Sequence, residues 1–507
     1  MSLLIKGVQI VDGEGRVPYK ADVLVQKNII SAIGNLKYKE TEKVIEGLGN
    51  YLVPGFIDVD TDSDHYLHLF TNPRQNDFAN QGVTTIIGGH CGSSLAPLIY
   101  GDLESVQKWG DVSQVNVNWH TMDELLSSLR RLPLGVNFGT LVGHGTIRQA
   151  IAGESNRELT EQEFKIFEKM LLQAMEDGAF GMSTGLGYTH GSSASEKEAK
   201  RLVGVIKNTG GVYSTHLRNQ KDGVIEAVQE TVRTANYTGV KTLISHFRPI
   251  IGSEEQFKKS VEFIRANSAQ DGFRFDIYPH DTSIYSIATL LPSWVQRDDV
   301  ELMAEELNKP DVLEKIEKEI QSSRIDLANV QIANAPRNGY LVGKTMAQVA
   351  DNLETSLIES FIKVMTITNF RANVFIKDIN FEVLTKMLFD ERAFIASNGN
   401  SPAPGEFLKH ERSTNTFPKF LGMALKNDMT SLPEAIKKIT SAPARYFEIP
   451  DRGVIKEGKV ADMVILSKDN YEVKEVILGG QIRLTPTDGG KTSNGLVKGD
   501  VLKHKAL

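Results

Sequence analysis

The strongest constraint in this sequence is its rhythm. Short apolar runs at 52–60, 84–89, 136–143, 180–185, 212–217, 242–247, 273–279 and 394–397 alternate with stretches of helical periodicity. Strands and helices that alternate in this way build a parallel sheet with crossover helices, and eight strands are the number that closes a barrel. The expected fold class is α/β, a (β/α)₈ TIM-type barrel. The plainest connector follows Thr160. Thr160 with Glu163 forms a capping box, Phe164, Phe167, Leu171 and Met175 make one apolar stripe, and Gly178 is placed to end the helix.

Both ends of the chain read differently. Alternating strand-like segments at 3–11 and 21–33 have counterparts at 461–466 and 473–484. We expect them to form a small β-sandwich domain of residues 1–53 and 448–507, with the barrel spanning 54–447. The gap before the last barrel strand exceeds an ordinary crossover, so a helical insertion at about 290–345 is expected at the barrel mouth.

Composition narrows the function classes. A net charge of −7 leaves no basic footprint for nucleic acid. The apolar runs are too short and too interrupted to span a membrane, and the start of the chain lacks a signal-peptide core. The single cysteine excludes an internal disulfide. We expect a cytoplasmic protein acting on a small molecule, its oligomeric state undetermined.

Barrel chemistry sits at the C-terminal ends of the strands. There the sequence places Asp60 and Asp62, His90 and Cys91, His144, Ser183 and Thr184, His216, His246, Asp276, Tyr278, His280 and Asn398. Thiolate and imidazole suit a tetrahedral zinc that keeps one position for water, so Cys91, His216 and His246 are the expected metal ligands. Asp64, His65 and His68 read as polar loop groups.

The motifs as a series resemble the D-aminoacylase (N-acyl-D-amino-acid deacylase) branch of the amidohydrolase superfamily. They run from Val53-Pro54-Gly55-Phe56-Ile57-Asp58 through Gly82-Val83-Thr84-Thr85, Cys91-Gly92, Ala96-Pro97 and Gly143-His144 with Arg148. Gly178-Ala179-Phe180-Gly181-Met182-Ser183-Thr184, Thr215-His216-Leu217-Arg218, Ser245-His246 and Tyr278-Pro279 follow, and Arg452-Gly453-Val454-Ile455 with Ala461-Asp462 closes the series. The resemblance implies one tightly bound zinc on Cys91, His216 and His246, and hydrolysis of the N-acyl bond of an N-acylated D-amino acid or D-residue peptide. It implies that Arg248 and Arg412 grip the substrate carboxylate, with His144, Tyr188 and Tyr278 lining the substrate site.

Arg248 stands where the family usually has Lys, the family's His-Pro-Arg reads His410-Glu411-Arg412, and three motifs at the catalytic centre depart from the family pattern. Asp60-x-Asp62 replaces His-x-His, Asn398 replaces the acid/base Asp, and His280 replaces the second Tyr of Tyr-Pro-Tyr. Asn398 cannot take a proton from water. The acid/base role therefore passes to Asp62 as first choice, or to Asp60 or His280. Alternatively, Asp60 and Asp62 hold a second, harder metal. Two other readings stand beside hydrolysis: a pseudoenzyme that binds a related carboxylate, and a zinc lyase or isomerase.

Overall fold

The computed structural model describes residues 2–505 apart from 37–38, 101–102, 104–105, 107–108, 111, 154–156, 270, 293, 297–299, 323–324, 404–407, 427–428 and 485–496. Its central strands are β1 (Phe56–Asp58), β2 (Val83–Gly88), β3 (Asn137–Thr140, resumed after Leu141 as Val142–Gly143), β4 (Gly181–Gly185), β5 (Val212–His216), β6 (Lys241–Ile244), β7 (Phe273–Ile277) and β8 (Ala393–Ile395). They pair in sequence order, and every pairing among them is parallel. Two hydrogen-bonded sheets result, divided at the break in β3. A parallel bridge between Thr61 and Gly399 links the far edges, just beyond β1 and β8.

Side chains explain the packing. Ile57, Ile87, Val212, Leu243 and Phe394, from five different strands, are buried in one cluster with Leu141 at the break of β3 and with Tyr446, Phe447 and Leu502. The helix Glu161–Asp177 starts at the capping box of Thr160 and Glu163, buries Phe164, Phe167, Leu171 and Met175, and ends at Gly178 with φ 119°. That positive φ is why a glycine stands there.

The first expected strand, 52–60, is two strands in the structure. Tyr51–Pro54 leaves the parallel system and pairs antiparallel with Met463–Leu466 and parallel with Ser2–Ile10, while Phe56–Asp58 becomes β1. Gly55 turns the chain between them. A Cβ there would stand 2.1 Å from the Thr84 hydroxyl. The strands of both chain ends share one eight-stranded sheet.

The insertion is larger than expected and is not purely helical. It contains the helices Val300–Leu307, Pro310–Ser322, Met346–Leu353 and Leu357–Ile367. It also contains an antiparallel sheet of Thr282–Ser286, Asn373–Lys377 and Gln331–Asn334. These elements bury a hydrophobic cluster of their own around Ile316, Ile332, Phe361 and Val374. The strands were missed because short polar segments such as Thr282–Ser286 carry no run of apolar residues.

The closing Arg452…Asp462 motif acts as a clasp. Asp462 Oδ2 accepts from Arg452 Nε and from Asn137 Nδ2 of β3, both at 2.8 Å, and its Oδ1 accepts from the Gly479 amide at 2.7 Å. Arg452 also pairs with Asp451 and Asp500, so removing the Asp462 carboxylate costs mainly the buried Asn137 and Gly479 donors their acceptor. Asp462→Ala is expected to lower unfolding stability by about 2–4 kcal/mol in a denaturant titration.

Candidate metal and active site

The C-terminal ends of the parallel strands bring together side chains far apart in sequence. His216 is the last residue of β5, His246 follows β6 by two residues, and Cys91 lies three beyond β2. The Cys91 Sγ stands 3.3 Å from His246 Nε2 and 3.8 Å from His216 Nδ1, and the two nitrogens are 2.9 Å apart. A tetrahedral zinc with ordinary bond lengths sets nitrogens roughly 3.3 Å apart, and sulfur roughly 3.6 Å from nitrogen. The donor set and its spacing therefore fit that ion. Among the described residues, this is the sole group of three or more His, Cys, Asp or Glu side chains close enough to hold a metal. Asp60 and Asp62 are not members of it.

The chain is locally bent to make this convergence. Cys91, His246 and Asn398 adopt φ of 53°, 38° and 46°, a left-handed conformation that costs non-glycine residues about 1–3 kcal/mol. The Cys91 turn is pinned from three sides. The Gly89 amide donates to Asp64 Oδ2 at 2.6 Å, the Ser183 hydroxyl donates to the Gly89 carbonyl at 2.5 Å, and the Gly92 amide donates back to Ser183 Oγ at 3.0 Å. His246 is anchored by its own amide, which donates to Asp276 Oδ1 of β7 at 2.7 Å. Burial, then the charges of Asp60 and Asp62, push the Cys91 thiol up. The Tyr188 hydroxyl is hydrogen-bonded to Cys91, and its ring lies 4.3 Å from that of His216.

Carboxylates lie beside this cluster. Asp60 is fully buried, and its Oδ1 accepts from Asn398 Nδ2 at 3.3 Å. Burial, then the Asp62 charge, raises Asp60 to about 7, while hydrogen bonds from Asn398 and Ser245 pull it back. Asp276 is hydrogen-bonded to Asp60, and burial drives it up as well. Asp62 is differently placed. His65 Nδ1 lies 3.2 Å from its Oδ1, and Arg412 Nη2 lies 3.5 Å from its Oδ2.

The basic residues meet on the side facing the insertion. Arg248 donates through Nη1 to the Tyr278 hydroxyl at 2.9 Å and to Ser283 Oγ at 2.7 Å, and through Nη2 to Gln220 Oε1 at 3.1 Å. Its Nε is buried with no hydrogen-bond partner. The same Gln220 amide reaches His246 Nδ1 at 3.0 Å. Arg412 lies over the Tyr278 ring, 5.4 Å from its centroid.

Two expected site residues stand elsewhere or in another state. His144 is directed into the helix layer, where Nε2 pairs with Glu198 Oε1 at 2.8 Å and the ring packs on Phe167. Its apparent strand-end position is the first residue of the helix His144–Ala152, which turns it outward. His280 is buried beside Lys419 Nζ at 3.3 Å, and burial, then Lys419 and Arg412, lowers it to about 3. It is a neutral imidazole at physiological pH. Asp64, His65 and His68, expected as loop polar groups, are all buried.

Comparison with known proteins finds relatives of one kind. The amidohydrolase family profile matches residues 387–483. D-aminoacylase of Alcaligenes xylosoxydans xylosoxydans is 27% identical over 91% of this chain and 87% of that protein. The N-acyl-D-glutamate deacylase of the same organism is 26% identical over 92% and 88%. Among solved structures, the N-acyl-D-glutamate deacylase of Bordetella bronchiseptica, complexed with zinc and a phosphonate inhibitor, superposes with a TM-score of 0.79. It is 22% identical, with 99% of both chains covered. A D-aminoacylase crystal structure gives the same TM-score at 23% identity and 99% coverage of both chains.

The chain is similar to D-aminoacylases and N-acyl-D-glutamate deacylases over nearly its whole length, and it carries an amidohydrolase match near its C-terminal end. It is thus a hydrolase of carbon–nitrogen bonds other than peptide bonds. Several side chains of this amidohydrolase that hold the site together had no distinct mark in the sequence. Gln220 sits in a polar loop, and Ser183 was visible at a strand end without its hold on Gly89 and Gly92. Asp276 was visible at a strand end, but its pairing with Asp60 depends on how the strands are arranged in space.

Proposed function

We propose that this amidohydrolase cleaves the N-acyl bond of an N-acylated D-amino acid or D-residue peptide at a single zinc held by Cys91, His216 and His246. The observation that carries this reading is the meeting of those three donors beside two buried arginines, one with a spare N–H. Relatives named for D-aminoacylase and N-acyl-D-glutamate deacylase activity support it. The reading treats the parallel strands as a closed (β/α)₈ barrel of residues 54–447, with residues 1–53 and 448–507 as the small β-domain. It takes the enzyme to be cytoplasmic, supported by the lone cysteine and by the lack, among the described residues, of any helix long and apolar enough to cross a membrane.

When bound, zinc supplies a Lewis acid that activates water and polarises the scissile carbonyl. The protein's own groups do the rest. Arg248 and Arg412 hold the substrate carboxylate, a role that suits the forked guanidinium. Tyr278 orients Arg248, and Tyr188 closes the side of the pocket next to Cys91. Asp60, raised toward neutrality and braced by Asn398, accepts a proton at its carboxylate and returns it to the departing amine. Asp62 is less suited to that task, because both of its oxygens face protein cations.

Metal analysis with a panel of N-acetyl-D- and L-amino acids tests the reading. One zinc per chain and release of acetate from a D-isomer are expected. A zinc-loaded enzyme inert toward the whole panel would overturn it. On any substrate cleaved, Arg412→Met is expected to raise KM about 10- to 100-fold, the worth of a charged hydrogen bond. It should leave cleavage of the matching carboxamide unchanged.

A further inference from the structure

Both ring nitrogens of His65 face oxygens. Nδ1 lies 3.2 Å from Asp62 Oδ1, and Nε2 lies 3.1 Å from the Ser93 carbonyl oxygen. A carbonyl oxygen and an ionised carboxylate can only accept. A neutral imidazole carries a single N–H, so one of these contacts would set lone pair against lone pair in a residue only 1% exposed. The imidazolium satisfies both.

The surroundings favour that charge. Trp109 stacks on the ring at 4.6 Å between centroids and 12° between planes, a geometry that stabilises a cation over an aromatic face. Asp62 and Asp64 come from the histidine's own segment, and Asp60 and His90 approach from the ends of β1 and β2. Burial keeps His90 near 4 and so neutral, with Asp64 opposing the drop and His65 adding to it. Arg412 lies beyond Asp62, on the helix Glu411–Lys426. Burial alone would lower His65, yet Asp64 and Asp62 raise it to about 9.

We propose that His65 is a resident imidazolium that fixes the Asp62 carboxylate and, through it, the Arg412 guanidinium. It is thereby a positioning residue for the grip on the substrate carboxylate. Asp62 is held between two cations of the protein itself, so its oxygens are already engaged where the sequence left open a second metal. Trp109 continues the contact edge-on to Tyr188, at 6.0 Å and 88°, and Tyr188 reaches Cys91. A run of touching side chains thus links Arg412 to the metal donors. The charge state of His65 stands on its own geometry, whereas its effect on substrate rests on the function proposed above.

The test uses the full-length, zinc-loaded protein with ¹⁵N-labelled histidine. At pH 7.5, His65, assigned by loss of its signals in His65→Gln, is expected to show a proton on each ring nitrogen. A single proton-bearing nitrogen would overturn the proposal, and this readout needs no activity. On an N-acetyl-D-amino acid that the parent enzyme cleaves, His65→Gln is expected to raise KM about 10-fold or more, with a smaller change in kcat. The carboxamide analogue should be unaffected. An equal rise for the carboxamide, or no rise for the acid, would overturn the positioning role. If His65→Gln fails to fold, His65→Phe keeps the stack on Trp109 and removes the charge, and the same two outcomes decide. Should the parent cleave none of the panel, the proposed function falls while the histidine spectrum still decides the charge.

Discussion

Replacing Cys91 with alanine is expected to lower bound zinc from about one ion per chain to near zero after dialysis against a mild chelator. Hydrolysis should fall by about 10³-fold or more with it. The sulfur is within 4 Å of both imidazole nitrogens, at 3.3 and 3.8 Å, so it supplies one of the three donors of the cluster. Two imidazoles alone bind zinc far more weakly, because a soft anionic ligand has been removed from a buried site. The fold should survive the change. Cys91 occupies a turn held by Gly89, Gly92 and Ser183, and the variant relieves no charge pair. Circular dichroism and metal content measured on one sample check this. A Cys91→Ala protein that keeps a full zinc complement would show that the ion binds elsewhere.

Asp60→Asn is expected to lower kcat by about 10²- to 10⁴-fold while leaving zinc content unchanged, the range by which a positioned acid/base group accelerates proton transfer. The pH profile of the parent enzyme follows from the same residue. Burial first, and then the Asp62 charge, raises Asp60 to about 7. The proton-accepting form is the carboxylate, so activity should be low on the acid side and rise with pH through that region. A bound cation would draw the midpoint lower, never higher, because it favours the ionised carboxyl. In Asp60→Asn this limb should vanish from whatever activity remains. Asp62→Asn should act otherwise, loosening Arg412 and raising KM with the limb retained. If Asp62→Asn removed the limb and Asp60→Asn kept it, the two assignments would be reversed.

How far the sequence alone could carry these conclusions differs from one element to the next. The parallel strands were legible because each is an apolar run, and Thr160 and Glu163 announce their helix by a local hydrogen-bond pattern. The cluster of Cys91, His216 and His246 was legible because the three residues end three such runs. His144 was misplaced by the same rule. It too follows a strand, but a helix starts at that residue and carries the side chain toward Glu198. His65 was passed over because a polar segment after a strand reads as solvated loop. Only the closure around it, with Trp109 on one face and Asp62 and Ser93 at its nitrogens, makes it a buried charge. The balance between Asp60 and Asp62 was equally out of reach, since it depends on which carboxylate meets cations in space.

Arg248 takes its bearings from two bodies at once. Gln220 ties it to the metal donors, while Ser283 and Tyr285, through Asp378, belong to the inserted unit with its separate core. On the proposed reading, bond-breaking and part of the grip on the ligand are housed on different frameworks that meet at Arg248. Exchanging the graft between relatives should redirect which acids are admitted while the ion and its three holders stay untouched, giving a route by which new preferences arise on an old reaction.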